Sequence, residues 1–281
     1  MKIAIAGATG QLGHIVVAKL KEKTASENLV ALARTPEKAT NLGIEIRTFD
    51  YAKADDQSEA LKGVDTLLLI SSSEVGERAV QHKSVIDAAK KASVKRIVYT
   101  SILRASTSDM ALASEHFITE KALIVSGIDY TILRNGWYTE NYAGNISGAI
   151  QAGAVIGSAG EGKISSATRE DFAEAAAVVL TSEGHENKTY ELAGDEAYTL
   201  SEFAAEISKQ TGKNIPYNNL PETDYTQVLI KVGIPESFAK ILADSDAKAS
   251  KGSLYSDDKT LSKLIGHSTT PMATTVKRFI Q

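Results

Sequence analysis

A doubly wound α/β fold is what this 281-residue chain predicts, on three observations. Short β-rich runs alternate with amphipathic stretches through the first half. Several of the runs are apolar throughout, such as Leu67-Leu68-Leu69-Ile70, and the first ends in a glycine-rich turn that leads straight into a helical pattern. Strands alternating with helical crossovers pair in parallel. Continuously apolar strands belong to a sheet covered on both faces.

The strands read at Ile3–Ala6, Leu29–Ala33, Ile44–Phe49, Thr66–Ile70, Arg96–Thr100 and Tyr130–Leu133. Between them the amphipathic stretches are Gln11–Lys23, Pro36–Leu42, Asp55–Leu61, Glu77–Lys91 and Leu112–Ser126. After Arg134 the rhythm changes. Asn135 to Gly162 is rich in Gly, Asn and Tyr, with short helices and a strand near Ala154–Ile156. Thr168–Thr181 reads as a helix whose Asp171 offsets the positive end of the helix dipole. A strand at Thr189–Ala193 and helices at Leu200–Thr211, Glu222–Val232, Pro235–Ala243 and Lys259–Ile265 follow. The five prolines, at 36, 216, 221, 235 and 271, punctuate these elements without interrupting them.

Composition removes whole classes of function. Thirty-one Lys and Arg against 35 Asp and Glu leave a net charge of −4, with no basic block to bind nucleic acid. The absence of cysteine excludes disulfides, thiolate nucleophiles, iron–sulfur clusters and cysteine-ligated zinc, and suits a reducing cytoplasm. Five scattered histidines offer no metal-ligand spacing, so no metal is expected. No apolar run approaches the roughly 20 residues that a membrane span needs. The expectation is a soluble, cytoplasmic protein.

The sharpest motif is Gly7-Ala8-Thr9-Gly10-Gln11-Leu12-Gly13, placed between the first strand and the first helix. Glycines there permit a tight turn and let backbone N–H groups approach a pyrophosphate at a helix N-terminus. The motif lacks the Gly-Lys-Ser/Thr of a triphosphate loop, and its spacing is looser than Gly-x-Gly-x-x-Gly. The expectation is a Rossmann-type dinucleotide-binding domain over residues 1–135, with the chain returning to it around 154–182. A smaller, mostly helical substrate-side domain would take 136–153 and 183–281. At the end of the second strand an acid would select NAD, whereas an arginine pairs with a 2′-phosphate. Here Ala33 runs into Arg34-Thr35-Pro36, which favours NADPH with NADH still acceptable, although Arg34 also reads as an ordinary solvated arginine. Asp50-Tyr51, after the third strand, could flank an adenine or simply be solvated.

Taken with Leu68-Leu-Ile-Ser-Ser-Ser-Glu-Val-Gly76, Leu133-Arg-Asn-Gly-Trp-Tyr-Thr-Glu-Asn-Tyr142 and Ala243-Asp-Ser-Asp-Ala-Lys-Ala-Ser-Lys-Gly252, the glycine motif makes the chain resemble the NmrA-like group of atypical short-chain dehydrogenases. Within that group it is most similar to the type 2 NAD(P)H:quinone oxidoreductases, over essentially its whole length. The triphenylmethane dye reductases share the plan but match less well. The resemblance implies that Gly7, Ala8, Thr9, Gly10, Gln11 and Leu12 cradle the pyrophosphate and that Arg34 meets the 2′-phosphate. It places Ser73, Glu74 and Val75 beside the nicotinamide ribose, and Asn135, Gly136, Trp137, Tyr138, Thr139 and Glu140 over the nicotinamide end. Arg169 would reach back to the cofactor. Trp137 and Tyr138 read equally well as aromatic packing.

Ordinary short-chain dehydrogenases use Tyr-x-x-x-Lys after the fifth strand. Tyr255-Ser-Asp-Asp-Lys259 has the spacing but lies near the C-terminus. On the expected helix stand His116 and Glu120, one turn apart and able to hydrogen-bond, either as a structural pair or as a proton relay. His116, Glu120 and Tyr138 are the candidate catalytic residues. Lack of the usual acid–base pair suits direct hydride transfer from NADPH to a quinone, without flavin or metal. It equally suits a redox sensor that binds NAD(P) without turnover, and a dye or nitro-aromatic reductase would differ only in acceptor. A homodimer is left open.

Overall fold

The computed structural model describes residues 1–280 as two compact units. The first comprises 1–105, 114–135 and 169–191. Its strands are β1 (Ile3–Ala6), β2 (Leu29–Ala33), β3 (Glu45–Thr48), β4 (Thr66–Leu69), β5 (Arg96–Ile102) and β6 (Asp129–Asn135). They form a seven-stranded sheet in the order β3-β2-β1-β4-β5-β6, completed by a last strand at Lys188–Leu192. Every pairing from β3 through β6 is parallel. Strand order reverses beside β1, and such a switch point opens a crevice at the carboxyl ends of the strands. Strands β1, β2, β4 and β5 are buried along their whole length, as their apolar runs predict.

The sheet has two faces because successive strand residues point opposite ways. Ala4, Ala6, Leu67, Leu69, Ile97 and Tyr99 share one face and pack with Leu61, Val85, Ile86, Ala89 and Leu123. Those partners come from α2 (Ala54–Ala60) and the residue that ends it, α3 (Arg78–Lys91) and α4 (Ala111–Val125). Helix α1 (Gln11–Lys21) packs against the helix at Arg169–Thr181, with Lys19 bridging Glu170 and Glu174.

The second unit comprises residues 106–113, 136–168 and 192 onward. It is mostly helical: α5 (Glu140–Ala143), α6 (Ile146–Ala152), then, past α7 (Arg169–Thr181) of the first unit, α8 (Leu200–Thr211), α9 (Glu222–Lys231), α10 (Glu236–Ala249), α11 (Thr260–Ile265) and α12 (Met272–Ile280). A parallel pair of short strands, β7 (Val155–Gly157) and, beyond β8 (Lys188–Leu192), β9 (Tyr217–Asn219), joins them. Ile146, Val155, Tyr198, Phe203, Ile207 and Val276 lead its core. Helix α8 starts in a reciprocal cap: Glu202 N–H donates to the Thr199 hydroxyl and Thr199 N–H donates to the Glu202 carboxylate.

Several elements differ from the sequence expectation. Pro36–Leu42 is a 3₁₀ segment, closed by left-handed Gly43, and not an α-helix. The strand expected near Ala154–Ile156 pairs with β9 inside the second unit, so the chain re-enters the first unit at 169–191. Helix α10 runs on to Ala249 because Ala239, Ala243, Asp246 and Ala249 keep one face buried. Helix α12, which supplies Val276 to the second core, was not expected.

Candidate functional site

The switch point gathers the carboxyl ends of β2, β1 and β4. After β1 the chain turns through Gly7, whose φ of +80° is left-handed, and Gly10 N–H donates to the Gly7 carbonyl at 3.0 Å. Only glycine takes this conformation without strain. Helix α1 then starts with no side-chain cap and no acidic residue in its first turn. Its first N–H groups thus keep the positive end of the dipole for an outside anion. A Cβ at Gly13 would collide with the Gly7 carbonyl and lie 2.8 Å from Ala8 Cα, so the glycine lets the helix close directly on the turn. Gly7 to Leu12 therefore form a compact backbone cradle suited to a pyrophosphate.

Arg34 leaves the end of β2 and lies exposed, its Nη1 3.1 Å from Glu74 Oε1. Beyond β3, half-buried Tyr51 donates its hydroxyl to the Ile70 carbonyl at 2.8 Å. Asp50 accepts from Ala52 N–H and serves its own turn.

The segment after β4 is fixed from below by side chains that sequence reasoning did not single out. Ser71 N–H donates to Thr100 Oγ1, and Ser72 N–H donates to His82 Nε2 at 2.9 Å. Arg78 Nε donates to the Ser72 carbonyl at 2.7 Å, and Ser72 Oγ donates to Gln81 Oε1 at 2.6 Å. Gly76 N–H reaches both Glu115 carboxylate oxygens at 3.1 Å. Ser73, Glu74 and Val75 are thereby presented to solvent on an anchored loop. The signal for this scaffold was present: Arg78, Gln81 and His82 fall at helical spacing directly after the Ser-Ser-Ser-Glu-Val-Gly run.

His82 is buried and neutral. Thr119 Oγ1 donates to the Glu115 carbonyl, so His82 Nδ1 carries the proton and donates to Thr119, leaving Nε2 to accept from Ser72. Burial, helped by the Arg78 cation, pushes its pKa down to about 3. Burial likewise holds His116 well below its ordinary range, with Arg78 and His82 adding to the effect.

The hydrogen bond that the spacing of His116 and Glu120 allows does not form. Each residue has a stronger partner on a strand. His116 Nδ1 meets the Tyr99 hydroxyl at 2.8 Å, and burial raises the Tyr99 pKa, so the proton stays on the phenol. Glu120 accepts from Ser101 Oγ at 2.6 Å and from Arg134 Nε and Nη2 at 2.9 and 2.6 Å. Arg134 also pairs with Glu191 at 2.8 Å, and these carboxylates raise its pKa further.

Asn135 ends β6 in the first unit, and Arg169 opens α7 there, half-buried. Gly136 to Glu140 belong to the second unit. There Gly136 N–H donates to the Leu192 carbonyl at 2.7 Å, Tyr138 is half-buried in a bridge with Ala167, and Thr139 Oγ1 lies 2.8 Å from Ser166 Oγ. Trp137 is buried, yet its indole N–H has no hydrogen-bond partner among the described residues. A buried donor left open in this way is a position a ligand can satisfy. Tyr142 donates to Asp246 Oδ1 at 2.8 Å, which ties α5 of the second unit to the Ala243–Gly252 segment. Among the described residues no three His, Asp or Glu side chains gather as metal ligands would, and no helix is long and apolar enough to cross a membrane.

A parallel sheet with a glycine cradle at its switch point defines a nucleotide-binding Rossmann-type protein, and residues 7–183 match the NAD(P)H-binding family, to which the chain belongs. More particularly, it is 56% identical over 277 residues to quinone oxidoreductase 2 of Escherichia coli K12, spanning 98% of this chain and 97% of that protein. The solved structure of the E. coli NADPH-dependent quinone oxidoreductase QOR2 complexed with NADPH matches with a TM-score of 0.97 at 55% identity, covering 99% of this chain and 100% of that one. The Citrobacter sp. triphenylmethane reductase complexed with NADP(H) matches at 0.95 and 39% identity, covering 99% and 100%. The resemblance to quinone and dye reductases read from the sequence is borne out.

Proposed function

We propose that this chain is an NADPH-dependent quinone oxidoreductase that reduces its substrate by two electrons, using neither flavin nor metal. The observation that carries the proposal is the uncapped, glycine-cradled start of α1 with Arg34 at the neighbouring strand end, in a chain 56% identical to a quinone oxidoreductase over nearly all its length. In this reading Gly7, Ala8, Thr9, Gly10, Gln11 and Leu12 hold the pyrophosphate and Arg34 holds the 2′-phosphate. Ser73, Glu74 and Val75 line the ribose next to the nicotinamide. Asn135, Gly136, Trp137, Tyr138, Thr139, Glu140 and Arg169 are assigned to the cofactor as well. NADH serves less well because it has nothing for Arg34 to bind.

The bound reduced nicotinamide supplies the hydride. What the chain supplies is position. Glu120 is occupied by Arg134 and Ser101, and His116 is buried beside a protonated Tyr99, so neither is poised to move a proton. A quinone needs little help of that kind. It is already a good hydride acceptor, and its developing oxyanions take protons from solvent. Catalysis then rests on proximity and orientation. A chain without cysteine suits the reducing cytoplasm, where we place the enzyme.

The decisive measurement is NADPH absorbance after adding a simple benzoquinone to purified protein. Steady, protein-dependent decay is the expected result. Tight NADP(H) binding with no consumption across a panel of quinones would overturn the enzyme reading in favour of a sensor.

A further inference from the structure

Arg34 and Glu74 form an ion pair across the mouth of the glycine cradle, and we propose that Glu74 is an internal competitor for the 2′-phosphate that tunes the choice between NADPH and NADH. The proposal rests on the nucleotide-binding reading above, which sets Glu74 beside the nicotinamide ribose, and adds a second role for its carboxylate, the pairing with Arg34 while no 2′-phosphate is bound.

The geometry comes from the sheet order. Strand β1 lies between β2 and β4. Neighbouring strands are about 4.8 Å apart, so the ends of β2 and β4 stand roughly 10 Å apart with the cradle between them. Arg34 Nη1 and Glu74 Oε1, at 3.1 Å, close that span. Their side chains are 69% and 48% exposed, so a ligand reaches the pair from solvent. Among the described residues Arg34 pairs with Glu74 alone.

Glu74 is held in place for this contact. Its Oε2 accepts from Gln81 Nε2 at 2.7 Å, and its N–H donates to Ser72 Oγ at 3.2 Å. Ser72 Oγ in turn donates to Gln81 Oε1. Gln81 and Ser72 are both buried, so the carboxylate stands on a fixed base while the long Arg34 side chain is free to swing.

A phosphate monoester carries nearly two charges and takes a guanidinium bidentately, so it displaces a single exposed carboxylate. NADPH then exchanges Glu74 for phosphate on Arg34, and the released carboxylate remains nearby as a repelling like charge. NADH makes no such exchange and leaves the pair intact. Glu74 therefore lowers the affinity gained from the 2′-phosphate and narrows the preference for NADPH.

The test is titration calorimetry of the full chain with 2′,5′-ADP and 5′-ADP, which differ only in that phosphate. Glu74→Gln keeps an acceptor for Gln81 and removes the charge. Exposed ion pairs are worth little, so Glu74→Gln is expected to tighten 2′,5′-ADP about two- to fivefold and leave 5′-ADP unchanged. On an Arg34→Ala background the same substitution should do nothing, because its effect passes through Arg34. Weaker binding of both probes, equal tightening of both, no change, or a gain that survives Arg34→Ala would each overturn the proposal. A wild type that binds neither probe would end the nucleotide-site reading as well. Failure to reduce quinones with the probe pattern intact would end the reductase reading alone.

Discussion

Replacing His82 by glutamine should flatten the acid limb of the stability curve. His82 is neutral in the fold with a pKa near 3, against an ordinary value of 6.5. The unfolded chain therefore binds a proton that the folded chain refuses between those values, and stability falls as pH drops from about 6.5 towards 3. Each pH unit inside that window costs about 1.4 kcal/mol. From pH 7 to pH 5, where only the lower part lies inside the window, His82 alone removes about 2 kcal/mol. Glutamine can still accept from Ser72 N–H through its side-chain oxygen but has nothing to titrate. It loses the edge contacts with Tyr51 and Tyr99, at a cost of about 1 kcal/mol at pH 7. Other groups titrate in the same range. His116 acts in the same direction as His82. Asp246, pushed up to about 6 by burial, opposes it, because its stabilising contribution is present at low pH and lost as pH rises through 6. The quantity to measure is thus the difference between wild type and His82→Gln. Urea denaturation followed by circular dichroism at pH 7 and pH 5 should show the variant losing about 2 kcal/mol less than wild type. An unchanged loss would mean that His82 titrates in the folded state much as it does in the unfolded one, and the buried anchor for Ser72 would have to be abandoned.

Three substitutions test the site. Arg34→Ala should raise KM for NADPH about ten- to a hundredfold, the worth of charge-assisted hydrogen bonds, and hardly change KM for NADH; equal losses would remove Arg34 from 2′-phosphate recognition. Gly10→Val should fold, since Gly10 has an ordinary φ of −76° and its Cβ would meet only the Gly7 carbonyl at 3.3 Å. Its branched side chain would occupy the phosphate approach and abolish NADPH binding, so retained affinity measured by fluorescence would move the cofactor elsewhere. Glu120→Gln should lower Tm by several degrees by weakening a buried ion pair while leaving kcat within about twofold; a tenfold fall in kcat at unchanged Tm would restore a proton-relay role.

Much of the first unit was legible because its signals are local. Strands β1 and β2 fall on the expected residues, since an apolar run ended by Gly7 or by Arg34-Thr-Pro states its own limits. Where boundaries or element types were missed, the deciding interaction was usually remote. In Tyr217-Asn-Asn219 the two asparagines disfavour a strand; pairing with β7 makes it one. Helix α12 is the exception. Met272, Val276 and Phe279 recur at helical spacing directly after Pro271, so that helix was readable from the sequence alone.

The site was legible to a different depth. Glycines and a lone arginine announce a phosphate cradle because their chemistry requires no partner to be recognised. A histidine and a glutamate at i and i+4 announce only that they can meet. Whether they do depends on what the adjacent strands offer, and here Tyr99, Ser101 and Arg134 offer more. The consequence reaches the chemistry. Under the carboxyl edge of the sheet, Arg78, His82 and Glu115 are committed to loop backbone, His116 to a phenol, and Glu120 to Ser101 and Arg134. None of these side chains is left for the acid–base work that alcohol oxidation needs. With those groups committed, the function proposed above expects acceptors that take hydride readily and draw their protons from solvent.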